Sequence, residues 1–345
     1  MNQNLAAMIE NLGTDSLTVF AFALLFNAVL IPFLILLSNK MGLFDQPEFR
    51  KIHKHPIPRM GGLGIFTTFF IISLMFLPSL FTKHYLFLTL MFFLIGFSDD
   101  LHTINYKTRL GLTIVSSLLF IVIFKVWISH VGIFLPVLIA IPFTVFAISG
   151  FINAFNMIDG LNGLSSGVAL ISFGSLFYLS SLTHETLFQT MLAIIAGATL
   201  SFFLINFFLG SIFIGDGGTY SLGFLIVTFS IFFGFYHPEI SSWCYILINI
   251  YPVYEILLTI FRRRAKGRKP FLPDKVHFHH LLLKHFKNQK QTTACILFWE
   301  FSFALFACTF YYSTTILFTS FLFFLLVYYF LYRFLLRKAG NFNGI

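Results

Sequence analysis

Eleven apolar runs, most of them close to the length that crosses a bilayer, recur along this 345-residue chain. A crossing helix needs about 20 apolar residues. Runs of that kind cover 16–37, 61–81, 85–97, 110–127, 131–149, 165–182, 187–209, 220–236, 243–261, 294–312 and 314–336. The third is short, and its helix is expected to continue through Ser98 and Asp99 into the headgroup layer. Residues 294–336 would form a helix of about 65 Å, roughly twice the hydrocarbon thickness. That stretch must therefore cross twice, with its turn at Tyr311 to Thr315. The expected fold class is all-α: a polytopic integral membrane helical bundle of about 11 transmembrane helices, forming one domain over 1–345. Charged residues make up 10% of the chain, against about a quarter in a soluble domain. The longest polar stretch, Arg262 to Thr293, is too short to build a core of its own.

The segment before Ser16 carries no basic n-region and no small-residue cleavage site, which predicts a retained first helix rather than a signal peptide. Cys244, Cys295 and Cys308 lie in apolar runs without CxxC spacing, so they read as small buried hydrophobes. The formal charge of +9 is no nucleic-acid footprint, because Lys and Arg occur in short clusters between apolar runs. Those clusters set topology instead. With the N-terminus outside and the C-terminus cytoplasmic, the inside segments are 39–60, 98–109, 150–164, 210–219, 262–292 and the tail. They carry 20 of the 22 Lys and Arg, leaving Lys83 and Lys125. Six of seven Asp fall on the same side.

Four of these segments hold the chemistry-bearing residues. Asp99 and Asp100 end one helix; Asn153, Asn156, Asp159 and Asn162 recur every three residues; Asp216 sits among glycines; His277, His279 and His280 follow a basic run. Singly these are ordinary features: a solvated helix end, or a turn that reverses the chain. Together they form an oxygen-rich set of the kind that holds Mg²⁺ beside substrate phosphates, and Mn²⁺ suits the same donors. Glycines beside Asp159 and Asp216 would let backbone N–H groups approach an anion. Zinc is disfavoured for the histidines, since no Cys lies nearby. Nor is there a GxxxxGK[ST] loop. Glu255 and Glu300 lie inside apolar runs, where an acid faces either the bundle or the interface. The residues alone thus point to a Mg²⁺-dependent diphosphate site at the membrane surface. A transporter or flippase of an anionic lipid or sugar phosphate is the alternative, but it would place its charges near the midplane.

These motifs, in order, resemble the polyprenyl-phosphate N-acetylhexosamine-1-phosphate transferase family over roughly residues 40–285. They are DQPEFRKIHKHPIPRMGG from Asp45, SDD at 98–100, NAFNMIDGLNGL at 153–164, GDGGTYSLG at 215–223 and RRRAKGRKPFLPDKVHFHH at 262–280. The resemblance implies transfer of a sugar-1-phosphate, by default GlcNAc-1-phosphate, from a UDP-sugar to undecaprenyl phosphate. UMP would be released and a lipid-linked cell-surface glycan begun at the cytoplasmic face of a bacterial inner membrane. It makes Asn156 and Asp216 the metal ligands. Asp99 and Asp100 become the pair handling the lipid phosphate, with Asp159 beside the metal or nucleotide. Gly160, Leu161 and Asn162 become the uracil segment. Arg50, Lys51, His53, Lys107, Asn153, His277, His279 and His280 become candidates for binding substrate. A homodimer is compatible with the resemblance. Asn162 stands where many members have Asp, and Glu255 where many have Asp.

Overall fold

The computed structural model describes residues 15–46, 55–265, 267, 276–338 and 340. All eleven apolar runs are helical in it, as α1 (Ser16–Met41), α2 (Gly61–Phe76), α3 (Leu80–Leu101), α4 (Tyr106–Phe124), α5 (Val137–Met157), α6 (Leu164–Leu182), α7 (Thr186–Leu209), α8 (Gly215–Tyr236), α9 (Ser242–Ile248) with α10 (Ile250–Ala265), α12 (Gln289–Thr309) and α13 (Thr314–Lys338). A short helix, α11 (Phe278–Phe286), and a two-stranded antiparallel hairpin, β1 (Phe44–Asp45) with β2 (Ile57–Pro58), complete the described elements. Nine helices are long and apolar enough to span a bilayer among the described residues, and α9 with α10 makes a tenth, broken span. The 16-residue α2 is shorter than its apolar run. Leu77 precedes Pro78 and leaves the helical region, as the proline ring demands of its neighbour.

Three boundaries differ from expectation in ways that move functional residues. α3 does run on through Ser98, Asp99 and Asp100. α5 starts only after Pro136, because residues 130–134 are tied into a turn by the His130–Phe134 bridge. It then continues to Met157, so Asn153 and Asn156 are helical and the loop shrinks to 158–163. α8 begins at Gly215, which brings Asp216 into its first turn. The segment 262–292 is not all loop, since α11 and the start of α12 lie in it.

The run at 243–261 hides a break of 86° between α9 and α10. Pro252 supplies the reason: a continuous helix would need its N–H to donate to Ile248, and proline has none. In the first turn of a new helix the missing N–H costs nothing. Asn249 fills the break, accepting from Ser172 Oγ at 2.7 Å and donating to the Tyr245 carbonyl at 3.0 Å.

α8 is the central helix, with every residue from Gly217 to Phe233 buried. α3, α5 and α2 pack around it. Phe92 stacks on Phe224 with centroids 4.4 Å apart, and Tyr85 donates to or accepts from Thr228 Oγ1 at 2.7 Å. The phenylalanine excess thus has two uses. Phe92, Phe120, Phe224 and Phe232 fill the core, while Phe146, Phe298 and Phe330 lie exposed on the bundle exterior, where lipid would meet them. The three cysteines are free; Cys244 and Cys308 are buried as expected, but Cys295 is exposed on the outer face of α12 rather than packed in the core.

Candidate active site

The C-terminal end of α3 and the N-terminal end of α8 meet at the heart of the site. Gly62 of α2 lies against the backbone of Gly218, and Gly96 of α3 against that of Asp216 and Gly217, leaving no room for a Cβ at either position. These glycines bring the three backbones together. The close approach lets Asp100 reach across: its Oδ1 accepts the backbone N–H of Asp216 and its Oδ2 that of Gly217, each at 3.0 Å. A helix N-terminus carries orphan N–H groups and partial positive charge. The sequence suggests that this glycine-rich turn approaches a substrate anion; the structure instead commits the N–H groups of Asp216 and Gly217 to the Asp100 carboxylate.

Asp99 is engaged differently. Its Oδ1 accepts from the Ile104 N–H at 2.7 Å, and its Oδ2 pairs with the Arg109 guanidinium. Arg109 also lies 3.6 Å from Asp216 Oδ2, joining the two acids, and stands 5.9 Å above the Tyr220 ring. Arg59 from the hairpin pairs with Asp45 and lies 4.0 Å from Asp100. Of these four acids Asp216 has the most exposed side chain, 31% against 12% for Asp99 and 6% for Asp100. One turn along α8, Thr219 Oγ1 donates to Asn156 Oδ1 at 2.8 Å and fixes that amide beside Asp216.

The short loop after α5 forms the opposite wall. Asp159 accepts from Ser165 Oγ at 2.6 Å. Burial pushes its carboxyl up to about 6; the Asp100 charge adds to the shift, while the Ser165 hydroxyl and Arg59 oppose it. Gly163 has φ of 77° and donates its N–H to Asn206 Oδ1 at 2.6 Å; Asn206 Nδ2 then donates to the Ile212 carbonyl at 2.7 Å. Gly160 faces the ring of His279, whose Nε2 occupies the space a Cβ would need. His279 Nδ1 is 2.9 Å from the Tyr251 hydroxyl. Burial, with His280 and His277 adjacent, holds its pKa well below the usual histidine value, so this imidazole is neutral. His277 Nδ1 lies 2.8 Å from Glu255, which also accepts from the Phe278 N–H and the Tyr328 hydroxyl.

A cavity of about 460 Å³ lies between these walls. Asp100, Asn156, Asp159, Gly160, Leu161, Asn162, Asp216 and His280 all line it, so eight of the residues singled out in sequence converge on one space. The Leu161 side chain is itself part of the core. Asp99 stands behind this lining, joined to it through Arg109. Asn153 turns its amide back onto the Ser149 carbonyl, Lys107 is exposed on the first turn of α4, and His277 and His279 are buried behind His280. Arg50, Lys51 and His53 lie outside the described residues. Arg59, Arg109, Thr219 and Asn206 escaped the sequence reading. The first two were legible as cations in the PRMGG and YKTRL segments, but nothing in the sequence separated Arg109 from Lys107 before α4 was seen to present one and not the other.

Among the described residues, no group of three or more His, Cys, Asp and Glu is placed to hold a metal alone. One partly exposed carboxylate, Asp216, and one amide oxygen, Asn156, suit a hard cation that fills its remaining positions with substrate phosphate and water. The donor set therefore fits Mg²⁺.

Residues 83–234 match the family described as glycosyl transferase family 4. The chain is 30% identical over 288 residues to the undecaprenyl-phosphate alpha-N-acetylglucosaminyl 1-phosphate transferase of Escherichia coli, covering 79% of this chain and 76% of that protein. It is 29% identical over 342 residues to the probable undecaprenyl-phosphate N-acetylglucosaminyl 1-phosphate transferase of Bacillus subtilis, covering 93% and 91%. The Yersinia pestis transferase of the first name is 28% identical over 79% of this chain and 77% of its own length.

Proposed function

This chain belongs to glycosyl transferase family 4, with the polyprenyl-phosphate N-acetylhexosamine-1-phosphate transferases, and on that premise we propose that it transfers a sugar-1-phosphate from a UDP-sugar to undecaprenyl phosphate. The reading rests on one observation above all: Asp100, Asn156, Asp159 and Asp216 line one cavity at the end of the bundle, with Arg59 beside them and Arg109 tied to Asp216. In the reaction a lipid-phosphate oxygen bonds to the β-phosphorus of the donor. The bond from that phosphorus to the bridging oxygen breaks, and UMP leaves with the oxygen. A one-step displacement accounts for every group present.

Its main barrier is the approach of two anions, which positioning and fixed charge address. Arg59 and Arg109 are placed to receive phosphate oxygens. Asp99 acts through Arg109, holding the guanidinium where it would orient the lipid phosphate. Asp100 spends both oxygens on α8 and so fixes Asp216, while Gly160, Leu161 and Asn162 present the loop against which uracil packs. Asn156 and Asp216 would hold Mg²⁺. When bound, the metal would neutralise the diphosphate and stabilise the charge that develops on it. GlcNAc is the proposed sugar, the one in the relatives' names. The distribution of Lys and Arg supports placing this end of the bundle on the cytoplasmic side of a bacterial inner membrane.

Purified protein given UDP-GlcNAc, undecaprenyl phosphate and Mg²⁺ should release UMP and form a lipid-linked diphosphosugar, and Asp216→Ala should abolish both. Folded protein that releases no UMP from any of UDP-GlcNAc, UDP-GalNAc or their deoxy relatives would overturn the reading.

A further inference from the structure

Glu300 is fully buried in the middle of α12, within a helix apolar enough to span the membrane. An ionisable side chain there is costly and demands a partner or a task. Its Oε2 accepts the backbone N–H of Tyr251 at 2.9 Å, in the first turn of α10 directly after the helix break. That N–H is an orphan of the new helix and has no water to turn to. Oε1 has no hydrogen-bond partner among the described residues, and Glu300 lines a cavity of about 160 Å³ together with Tyr254, Trp299, Phe303 and Tyr328. From Tyr251 the contacts lead to the site: its hydroxyl meets His279 Nδ1 at 2.9 Å, and the other face of His279 fills the space beside Gly160.

We propose that Glu300 is a positioning residue for the nucleotide loop: by holding Tyr251 at the break, it fixes the His279 ring against Gly160. The inference rests on the transferase reading above. It assigns to the α9–α10 break a task that no loop motif reveals, because Glu300 lies 21 residues beyond His279 in the chain.

Full-length protein carrying Glu300→Gln, Glu300→Leu, Tyr251→Phe or the Glu300→Leu/Tyr251→Phe pair tests it. Glu300→Gln keeps an acceptor for the Tyr251 N–H and should stay within about threefold of the parent. Glu300→Leu and Tyr251→Phe should each raise KM for UDP-GlcNAc about tenfold, worth about 1.4 kcal/mol, and leave KM for undecaprenyl phosphate within about twofold. The pair should be no worse than the more impaired single variant, because the two contacts act in series, Glu300 on the Tyr251 backbone and the Tyr251 hydroxyl on His279. In nitrogen-15 spectra of selectively labelled protein the His279 Nδ1 signal should move in Glu300→Leu and Tyr251→Phe but not in Glu300→Gln. This arm needs no turnover, so it judges the positioning role even if the parent releases no UMP. Should Glu300→Leu not fold, Glu300→Ala, which also removes the acceptor for the Tyr251 N–H, takes its place in the comparison. Equal rises in both KM values, a Gln variant as impaired as Leu, or an unmoved His279 signal would each overturn the proposal.

Discussion

The Asp100 carboxylate accepts the backbone N–H of Gly217 at 3.0 Å, so the last turn of α3 closes the first turn of α8. With the second bond to the Asp216 N–H, both oxygens are committed to holding a helix end. Of the adjacent pair, Asp99 is then the acid that faces a cation. Loss of an N-terminal cap costs about 1–2 kcal/mol, so Asp100→Ala should lower the unfolding temperature in detergent and also reduce UMP release, since Asp216 moves with the helix end. Asp99→Asn keeps an acceptor for the Ile104 N–H and should lose turnover with little loss of stability. Parental unfolding in Asp100→Ala would show that the cap does not hold α8.

Arg109 and Lys107 stand two residues apart, yet only Arg109 reaches the acids. Guanidinium geometry lets one side chain span Asp99 and Asp216, which a lysine ammonium does poorly. Arg109→Lys should therefore lower kcat/KM by about tenfold and Arg109→Ala by about a hundredfold or more, roughly 3 kcal/mol of transition-state stabilisation. Lys107→Ala should stay within about threefold. Initial rates of UMP release measure all three, and a large loss in Lys107→Ala would place it in the site after all.

The sequence carries the site's composition better than its geometry. Hydropathy locates every spanning run because lipid imposes a length, and the Asp residues are conspicuous in a chain with so few charges. Period and hydropathy do not show where a helix passes from apolar to polar surroundings. That is why α5 takes in Asn153 and Asn156, and why α8 starts early enough to put Asp216 in its first turn. The break at Asn249 is equally hidden, because the run on either side is apolar and Pro252 alone does not say whether a helix bends or restarts. Arg59, Thr219 and Asn206 act through contacts with residues distant in the chain, which no local pattern encodes.

Gly160 offers a sharper test of the nucleotide loop. A Cβ there would fall on the His279 ring, which is buried and tied to Tyr251 and so has nowhere to swing. Gly160→Ala should weaken UMP binding, read by calorimetry, by about tenfold or more. Gly111 on α4 has open space where its Cβ would point. Gly111→Ala should bind UMP as the parent does, and equal losses in the two variants would deny Gly160 a special place.

Asp159 gives the site a pH dependence whose direction is fixed. Its carboxyl rises from an ordinary 3.8 to about 6 on burial, so the folded protein binds this proton more tightly than the unfolded chain. Stability from this group is therefore greatest below about pH 4 and is lost as pH climbs from about 4 to about 6. A full shift of that size is worth about 3 kcal/mol; because Asp159 is not wholly shielded, about 1–2 kcal/mol is the expected share. Asp159→Asn keeps an oxygen for the Ser165 hydroxyl and removes the charge. Its unfolding temperature should match the parent near pH 4 and exceed it at pH 7, while its UMP release at pH 7 falls sharply. The parent's kcat/KM should rise with pH through about 6 as Asp159 ionises. A stability difference between variant and parent that is constant across this range would show that Asp159 does not carry the titration.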